Sequence, residues 1–472
     1  MNKSVTYHFL KSVLTLENPF LSTADFMDWL QEKKNKVKHS ITPIPFAELE
    51  NWSFHPITGN LVHDSGQFFT IEGIKIKTNW GVVANWNQPI INQLEIGFLG
   101  IICKKFDGIL YFLMQAKIEP GNINVVQLSP TLQATKSNYT QVHKGKTPLY
   151  FDYFFDKRAD VTILLDQLQS EQGARFLKKR NRNIIIEVIN DIEVKEDFCW
   201  LTLGQIKQLL TFDNVVNMDT RTVISGIPYG NLDTLEVIKN VKQNSYERAL
   251  LISELDPNNA LHSVEDIISW ITKHKVYAEL EVEKIPLNNL TDWGKNEDSI
   301  YHVAHKYFSV IAVKAEIENR EVHSWTQPMI KSAQEGIIAF IIKKINGVYH
   351  FLIQAKLESG NFDIIELAPT VQCLTGNYRK GFNEYEVNFI DYALYPEQNN
   401  AEVRYSTFQS EEGGRFYQEQ NKNMIIEVGD DFREDVPNAY IWMTLNQLKT
   451  FIKFNNYLNV QARSLLSAVK FV

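Results

Sequence analysis

Apolar and polar positions along this chain follow two rhythms, and each change of rhythm marks an element. After Ser22, Phe26, Trp29 and Leu30 recur three to four residues apart, which places them on one face of a helix. Ser22 with Asp25 in the first turn is an N-cap signature, and Ser263 with Asp266 repeats it before Trp270. I-P-F-A-E-L follows, and then Q-F-F-T-I-E-G-I-K-I-K-T alternates with period two and predicts a strand. Residues 96–117 form two apolar runs around Asp107-Gly108, with Asn346-Gly347 at the corresponding later point. Such dipeptides between apolar runs predict a tight hairpin. The spacing over residues 169–180 (Q-S-E-Q-G-A-R-F-L-K-K-R) predicts a helix, I-I-I-E-V-I a strand, and L-T-L-G-Q-I-K-Q-L-L a closing helix with Thr202 near its start. The expected class is α+β with a mostly antiparallel or mixed sheet flanked by helices.

The pattern occurs twice. Residues 86–139 return at 325–378 without a gap, and 23 of the 54 positions are identical. L-Q-S-E-Q-G-A-R-F at 168–176 returns as F-Q-S-E-E-G-G-R-F at 408–416, and the segment from Trp200 returns from Trp442. A period near 240 residues is too long for a solenoid and predicts two tandem homologous domains. The division is a first repeat over 1–228, a connector over 229–260 and a second repeat over 261–472. Within such a chain, residues kept in both copies are candidates for the fold. Residues polar in only one copy are candidates for a site.

Composition narrows the function. Lys plus Arg is 48 and Asp plus Glu is 56, giving a net charge of −8, which argues against a dedicated nucleic-acid binder. No apolar run approaches the roughly 20 residues of a membrane span, and His8 and Lys11 interrupt any signal-peptide core. Three cysteines without metal-type spacing are expected to be small buried hydrophobes, as in a cytoplasmic protein. His302 and His305 have metal-like spacing but no evident third ligand, so no metal site is expected. The tryptophans that recur in both copies are expected in the core.

Candidate chemistry is concentrated in the first repeat. Gln115, Lys117 and Glu119 alternate on one strand face, while Ala116 and Ile118 point to the core. Such a row can bind a polyhydroxylated ligand or perform acid–base work. The following loop carries Asn122, Ser129, Thr135, Ser137, Tyr139 and His143, and the second copy replaces Ser129, Thr135 and Ser137 by Ala368, Leu374 and Gly376. K-K-R-N-R at 178–182 becomes Q-E-Q-N-K, and N-M-D-T-R at 217–221 becomes N-V-Q-A-R. Lys117, Glu119, Tyr139 and His143 are therefore the candidate catalytic residues. Gln115, Asn122, Ser129, Thr135, Ser137 and Asp219 are candidate substrate contacts, with Arg175, Arg182 and Arg221 for phosphate. The working site is expected in the first repeat, with the second mainly structural or holding a non-catalytic pocket.

The strings N-W-S-F-H-P-I-T-G-N-L-V-H-D-S-G-Q-F-F, M-Q-A-K-I-E-P-G-N, Q-L-S-P-T-L-Q-A-T-K-S-N-Y and L-Q-S-E-Q-G resemble the NDP-hexose 2,3-dehydratases of deoxysugar biosynthesis. L-A-P-T-V-Q-C and Q-S-E-E-G-G-R-F-Y resemble that family's second half. The resemblance implies duplicated Nudix-like domains, a homodimer, and a dTDP-4-keto-6-deoxyglucose substrate that loses its C2 hydroxyl to give a 3,4-diketo sugar. It implies no cofactor. Aligned on Gly173, the Nudix hydrolase helix keeps only Glu171 here and Glu411 in the second copy. A pyrophosphatase and a non-catalytic sugar-nucleotide binder remain as alternatives.

Overall fold

In the computed structural model, which describes residues 4–135, 147–156, 158–231, 241–243, 245–318, 322–374 and 387–472, each repeat forms a seven-stranded and a five-stranded sheet. The large sheet of the first repeat contains Val161–Ser170, Arg180–Val188, Gly97–Phe106, Ile109–Ile118 and Phe198–Thr202 in that order. Gly97–Phe106 and Arg180–Val188 run parallel at its centre. Their apolar character follows from cover on both faces. The hairpin turns as expected, with positive φ at Asp107 and Gly108 and again at Asn346 and Gly347. Ser22 and Ser263 accept the amides of Asp25 and Asp266 and so cap Thr23–Lys36 and Val264–Tyr277. Thr202 caps Leu203–Leu209 reciprocally with Gln205. The two repeated halves are α+β with mixed sheets.

Two expectations need correction. Residues 169–180 are not a helix: Val161–Ser170 is a strand, and a turn leads back into its antiparallel partner Arg180–Val188. The polar residues that break its alternation are buried against the other repeat. Gln169 donates to the Ile452 carbonyl at 2.7 Å, and Ser170 donates to Glu366 at 2.9 Å. Buried polar residues that find distant partners mimic the exposed face of a helix. The first repeat also opens one element earlier than expected, with Val5–Val13, and its counterpart Tyr246–Leu255 lies inside the connector. Ser12 and Ser253 show the equivalence, donating to the carbonyls of Leu110 and Tyr349 on matching hairpins.

The repeats interlock through their backbones. His39–Ile44 of the first pairs antiparallel with Phe308–Ile317 of the second, and Leu280–Ile285 returns the exchange by pairing with Thr70–Thr78. Each small sheet thus takes an edge strand from the other repeat, which closes an edge that would otherwise be open. The turn after Ile109–Ile118 also crosses between repeats: Gly121 N–H donates to the Gly413 carbonyl and Gln418 N–H to that of Gly121, at 2.7 and 2.9 Å. Gly360 and Gly173 make the equivalent crossing at 2.7 Å. A Cβ on Gly121 would lie 1.6 Å from the Phe416 carbonyl oxygen, so both copies keep glycine where two backbones touch. This crossing brings Glu119 beside residues 411–415.

Candidate active site

A cavity of about 490 Å³ opens where these segments meet. Its floor is the end of Ile109–Ile118, which supplies Lys117 and, just beyond it, Glu119. Gln133 and Thr135 come from the adjoining strand and loop, Lys179 and Asn181 from the start of Arg180–Val188 and the turn before it, and Asp219 from the first turn of Met218–Ser225. The second repeat contributes Trp325, Gln327, Glu412 and Arg415. Trp52, Phe68 and Phe69 add an aromatic wall. The lining is rich in charged and amide side chains beside that apolar wall, which suits a polar ligand that also presents flat apolar faces.

Hydrogen bonds fix part of the lining. Gln133 donates to Glu119 at 2.8 Å, while the Lys117 ammonium lies 3.4 Å from the Gln133 carbonyl oxygen. Lys179 donates to the Glu95 carbonyl. The Arg415 guanidinium stacks on Phe69 at 4.2 Å and donates to Gly414 and Gln93. Neither Asp219 nor Glu412 has a side-chain hydrogen-bond partner among the described residues.

Burial sets the protonation of these groups. Desolvation pushes the Asp219 carboxyl well above its ordinary range, and the charges of Glu412, Glu119 and Glu171 add to it. Glu412 lies deep in the protein with part of its surface open to the cavity. That depth pushes its carboxyl up to about 7, with Arg415 and Lys179 opposing and Glu171 and Glu119 adding. Burial lowers the Lys179 ammonium to about 8. Glu412 and Lys179 therefore exchange protons near neutrality, the range acid–base catalysis needs.

Of the sequence candidates, Lys117, Glu119, Thr135 and Asp219 line this cavity. Ser137, Tyr139 and His143 lie outside the described residues. Gln115 is half-buried on the strand, with its backbone in register with Phe198 and Ser129. Asn122 donates to the Val125 carbonyl and holds the turn, and Ser129 accepts from Asn217. The three arginines are held elsewhere by protein groups. Arg175 stacks on Phe308 at 4.1 Å in the region equivalent to that of Arg415, and Arg182 pairs bidentately with Asp166 at 2.6 and 2.7 Å. Arg221 is 2 % exposed and bonds Gln409 and the Ser410 carbonyl. These contacts place the arginines outside the cavity lining, and the cations that do line it are Lys117, Lys179 and Arg415.

Sequence reasoning passed over Gln133, Trp325, Gln327, Glu412 and Arg415, and reached Lys179 only as part of the basic run at 178–182. A signal for two of them was present, because Lys179 faces Glu419 and Glu412 faces Gln172 across the repeats. The comparison counted what the second copy loses and not what it gains. Of the recurring tryptophans, Trp52 is in the core with an edge on the cavity, while Trp325 is half-buried and lines it. Glu171 and Glu411, the survivors of the Nudix pattern, are buried and accept hydrogen bonds from Asn181 and Asn421. Among the described residues no group of three or more His, Cys, Asp or Glu side chains is arranged to hold a metal.

The family model for NDP-hexose 2,3-dehydratase matches residues 23–227 and again 264–469. The chain belongs to the NDP-hexose 2,3-dehydratase family. Three curated relatives carry the name dTDP-4-dehydro-6-deoxy-alpha-D-glucopyranose 2,3-dehydratase. That of Saccharopolyspora spinosa is 44% identical, covering 98% of this chain and 94% of its own. The Amycolatopsis orientalis protein is 40% identical over 97% and 92%, and the Streptomyces violaceoruber protein 42% over 95% and 97%. Both matched segments of this dehydratase family member contribute to the cavity, 23–227 through Lys117 to Asp219 and 264–469 through Trp325 to Arg415. A solved C. elegans Ap4A hydrolase aligns with 25% of this chain and 86% of its own at 13% identity, with a TM-score of 0.18, which carries no argument. No helix among the described residues is long and apolar enough to cross a membrane.

Proposed function

We propose that this protein dehydrates dTDP-4-keto-6-deoxyglucose across C2 and C3, in the cavity floored by Lys117 and Glu119, for deoxysugar biosynthesis. The observation that carries this reading is the match of the dehydratase family to both repeats over nearly the whole chain. The ketone at C4 acidifies the C3 proton, a base removes it, and the enolate oxygen at C4 is stabilised by a cation or hydrogen-bond donor. An acid protonates the departing C2 hydroxyl, and the resulting enol tautomerises to the 3,4-diketone. Among the described residues Lys117, Lys179 and Arg415 bring cations to the cavity, and Glu50, Glu119, Asp219 and Glu412 bring carboxyl groups. Substrate contacts are assigned to Thr135 and Gln133, and the aromatic wall suits the apolar faces of base and sugar.

The Nudix-like description of each repeat, the division at 1–228 and 261–472, a homodimeric assembly and a cytoplasmic location belong to the same reading and rest on the sequence resemblance. Pyrophosphate hydrolysis is less well supported, since Glu171 and Glu411 are engaged by asparagines. The test is incubation of the pure protein with dTDP-4-keto-6-deoxyglucose in EDTA, followed by mass spectrometry. Loss of one water is expected. Unchanged substrate recovered from folded protein overturns the reading, and metal-dependent release of TMP would replace it with a hydrolase.

A further inference from the structure

Three ionisable residues that differ between repeats stand together at one of two equivalent places. Beside Glu119 stand Lys179, Glu412 and Asp219, and the corresponding positions beside Glu358 are Glu419, Gln172 and Gln461. The places are equivalent in structure, because Gln133 donates to Glu119 as Gln372 does to Glu358, and the glycine crossings match. One of the three charges, Glu412, comes from the second repeat. A duplication that merely decayed in its second copy would not have left an extra carboxyl group there, pointed into the first copy's cavity.

Hydrogen bonding separates the carboxyl groups. Glu119 is held by Gln133 and Glu171 by Asn181. Asp219, 3 % exposed, and Glu412 face the cavity without a hydrogen-bond partner among the described residues. Glu412 is the strongest charge acting on Asp219. We propose that Glu412, reaching in from the second repeat, is the proton donor to the departing C2 hydroxyl, with Asp219 as the neighbouring carboxyl group that repels a charge on it.

This assignment rests on the dehydratase reading above. A base takes the C3 proton and the C3–H electron pair passes reversibly into the C4 enolate; that pair then forms the C2=C3 double bond as the C4 ketone is restored and the C2–O bond breaks. The Glu412 proton joins the hydroxyl, which leaves as water. The enol then takes a proton at C2 and gives up its C3 hydroxyl proton, leaving the ketone, and Glu412 is reprotonated. Atoms balance with the loss of one water. The charged groups facing Glu412 are Arg415 and Lys179, which favour its ionised form, and Glu171, Glu119 and Asp219, which oppose it. Their balance with burial leaves the carboxyl protonated up to about 7.

The experiment uses the full-length Glu412→Gln variant with dTDP-4-keto-6-deoxyglucose in D₂O. Elimination should fall by about 10²–10⁴-fold in kcat, with KM changed far less. The recovered substrate should gain deuterium at C3 above a no-protein control, because the base still works. Glu412→Asp should restore part of the elimination. In the wild type, kcat/KM should fall on the alkaline side of neutrality, and the residual activity of Glu412→Gln should lack that limb. Elimination within about threefold of wild type overturns the proposal. So does a folded variant that neither eliminates nor exchanges C3. Should Glu412→Gln fail to fold, Asp219→Asn decides: its alkaline limb should move to lower pH, and an unmoved limb overturns the proposal. A wild type that leaves the sugar nucleotide intact would instead sink the dehydratase reading itself.

Discussion

Buried charge in this chain collects where the repeats meet, and Glu254 is an example with no catalytic part. It is 2 % exposed beside Lys207 and Lys449, which donate to backbone carbonyls at the ends of the opposite repeat's helices, Ser467 and Val469 for the first, Ser225 and Ile227 for the second. The matched helix of the first repeat has Val13 at this position. Burial pushes the Glu254 carboxyl up to about 7, with the two lysines pulling it back. The folded state then keeps a proton that the unfolded chain has already released between about pH 4.5 and 7. In that window this group's contribution to stability falls as pH rises. Glu254→Gln should remove the loss, so urea unfolding from pH 5 to 6.5 should show wild type losing about 2 kcal/mol relative to the variant. Parallel pH curves for the two proteins would contradict the assignment. Nothing in the sequence around Glu254 announced this position, because an acid in a short helix reads as solvated until the helix packing onto it is known.

At the scale of elements, local chemistry was legible and distant contacts were not. The hairpins and the three serine and threonine caps could be read because each depends on two to four neighbouring residues. The strand Val161–Ser170 was misread because Gln169 and Ser170 satisfy their polar groups on Ile452 and Glu366, nearly 200 residues or more away. The glycines at 121 and 360 were visible as repeated residues, but their reason is a backbone crossing between repeats. That reason makes a prediction. Gly121→Ala places a Cβ 1.6 Å from the Phe416 carbonyl oxygen, so one backbone must move, costing roughly 3 kcal/mol or more. Gly66 has positive φ but nothing within 4 Å of an added Cβ, so Gly66→Ala should cost only about 1–2 kcal/mol. Thermal melts compare them directly. Equal losses would show that the crossing yields easily and does not hold Glu119 against the 411–415 segment.

Over the whole molecule, duplication gave two equivalent places, and Lys179, Glu412 and Asp219 distinguish the one beside Glu119 from the one beside Glu358. Sequence comparison located the better-equipped repeat through Asp219 and the lysines of 178–182, but it treated the second repeat as scaffold. The strand exchange and the glycine crossing explain why that division is incomplete, since the cavity of the first repeat is walled by Trp325, Gln327, Glu412 and Arg415 of the second. Matched double substitutions separate the two places. Lys117→Ala with Glu119→Gln removes an ammonium and a carboxylate that line the cavity. Lys356→Ala with Glu358→Gln removes their counterparts, where Glu358 accepts from Gln372 and the Gly173 amide. The first pair should lower turnover by about 10²-fold or more, while the second should leave most of it, with both proteins melting as single folded species. Equal loss from both would mean that the two places act together in each turnover. Because Glu358 also braces the crossing at Gly173, the second pair should cost more stability than the first. A larger loss of melting temperature without loss of kcat would show that the second place serves the fold.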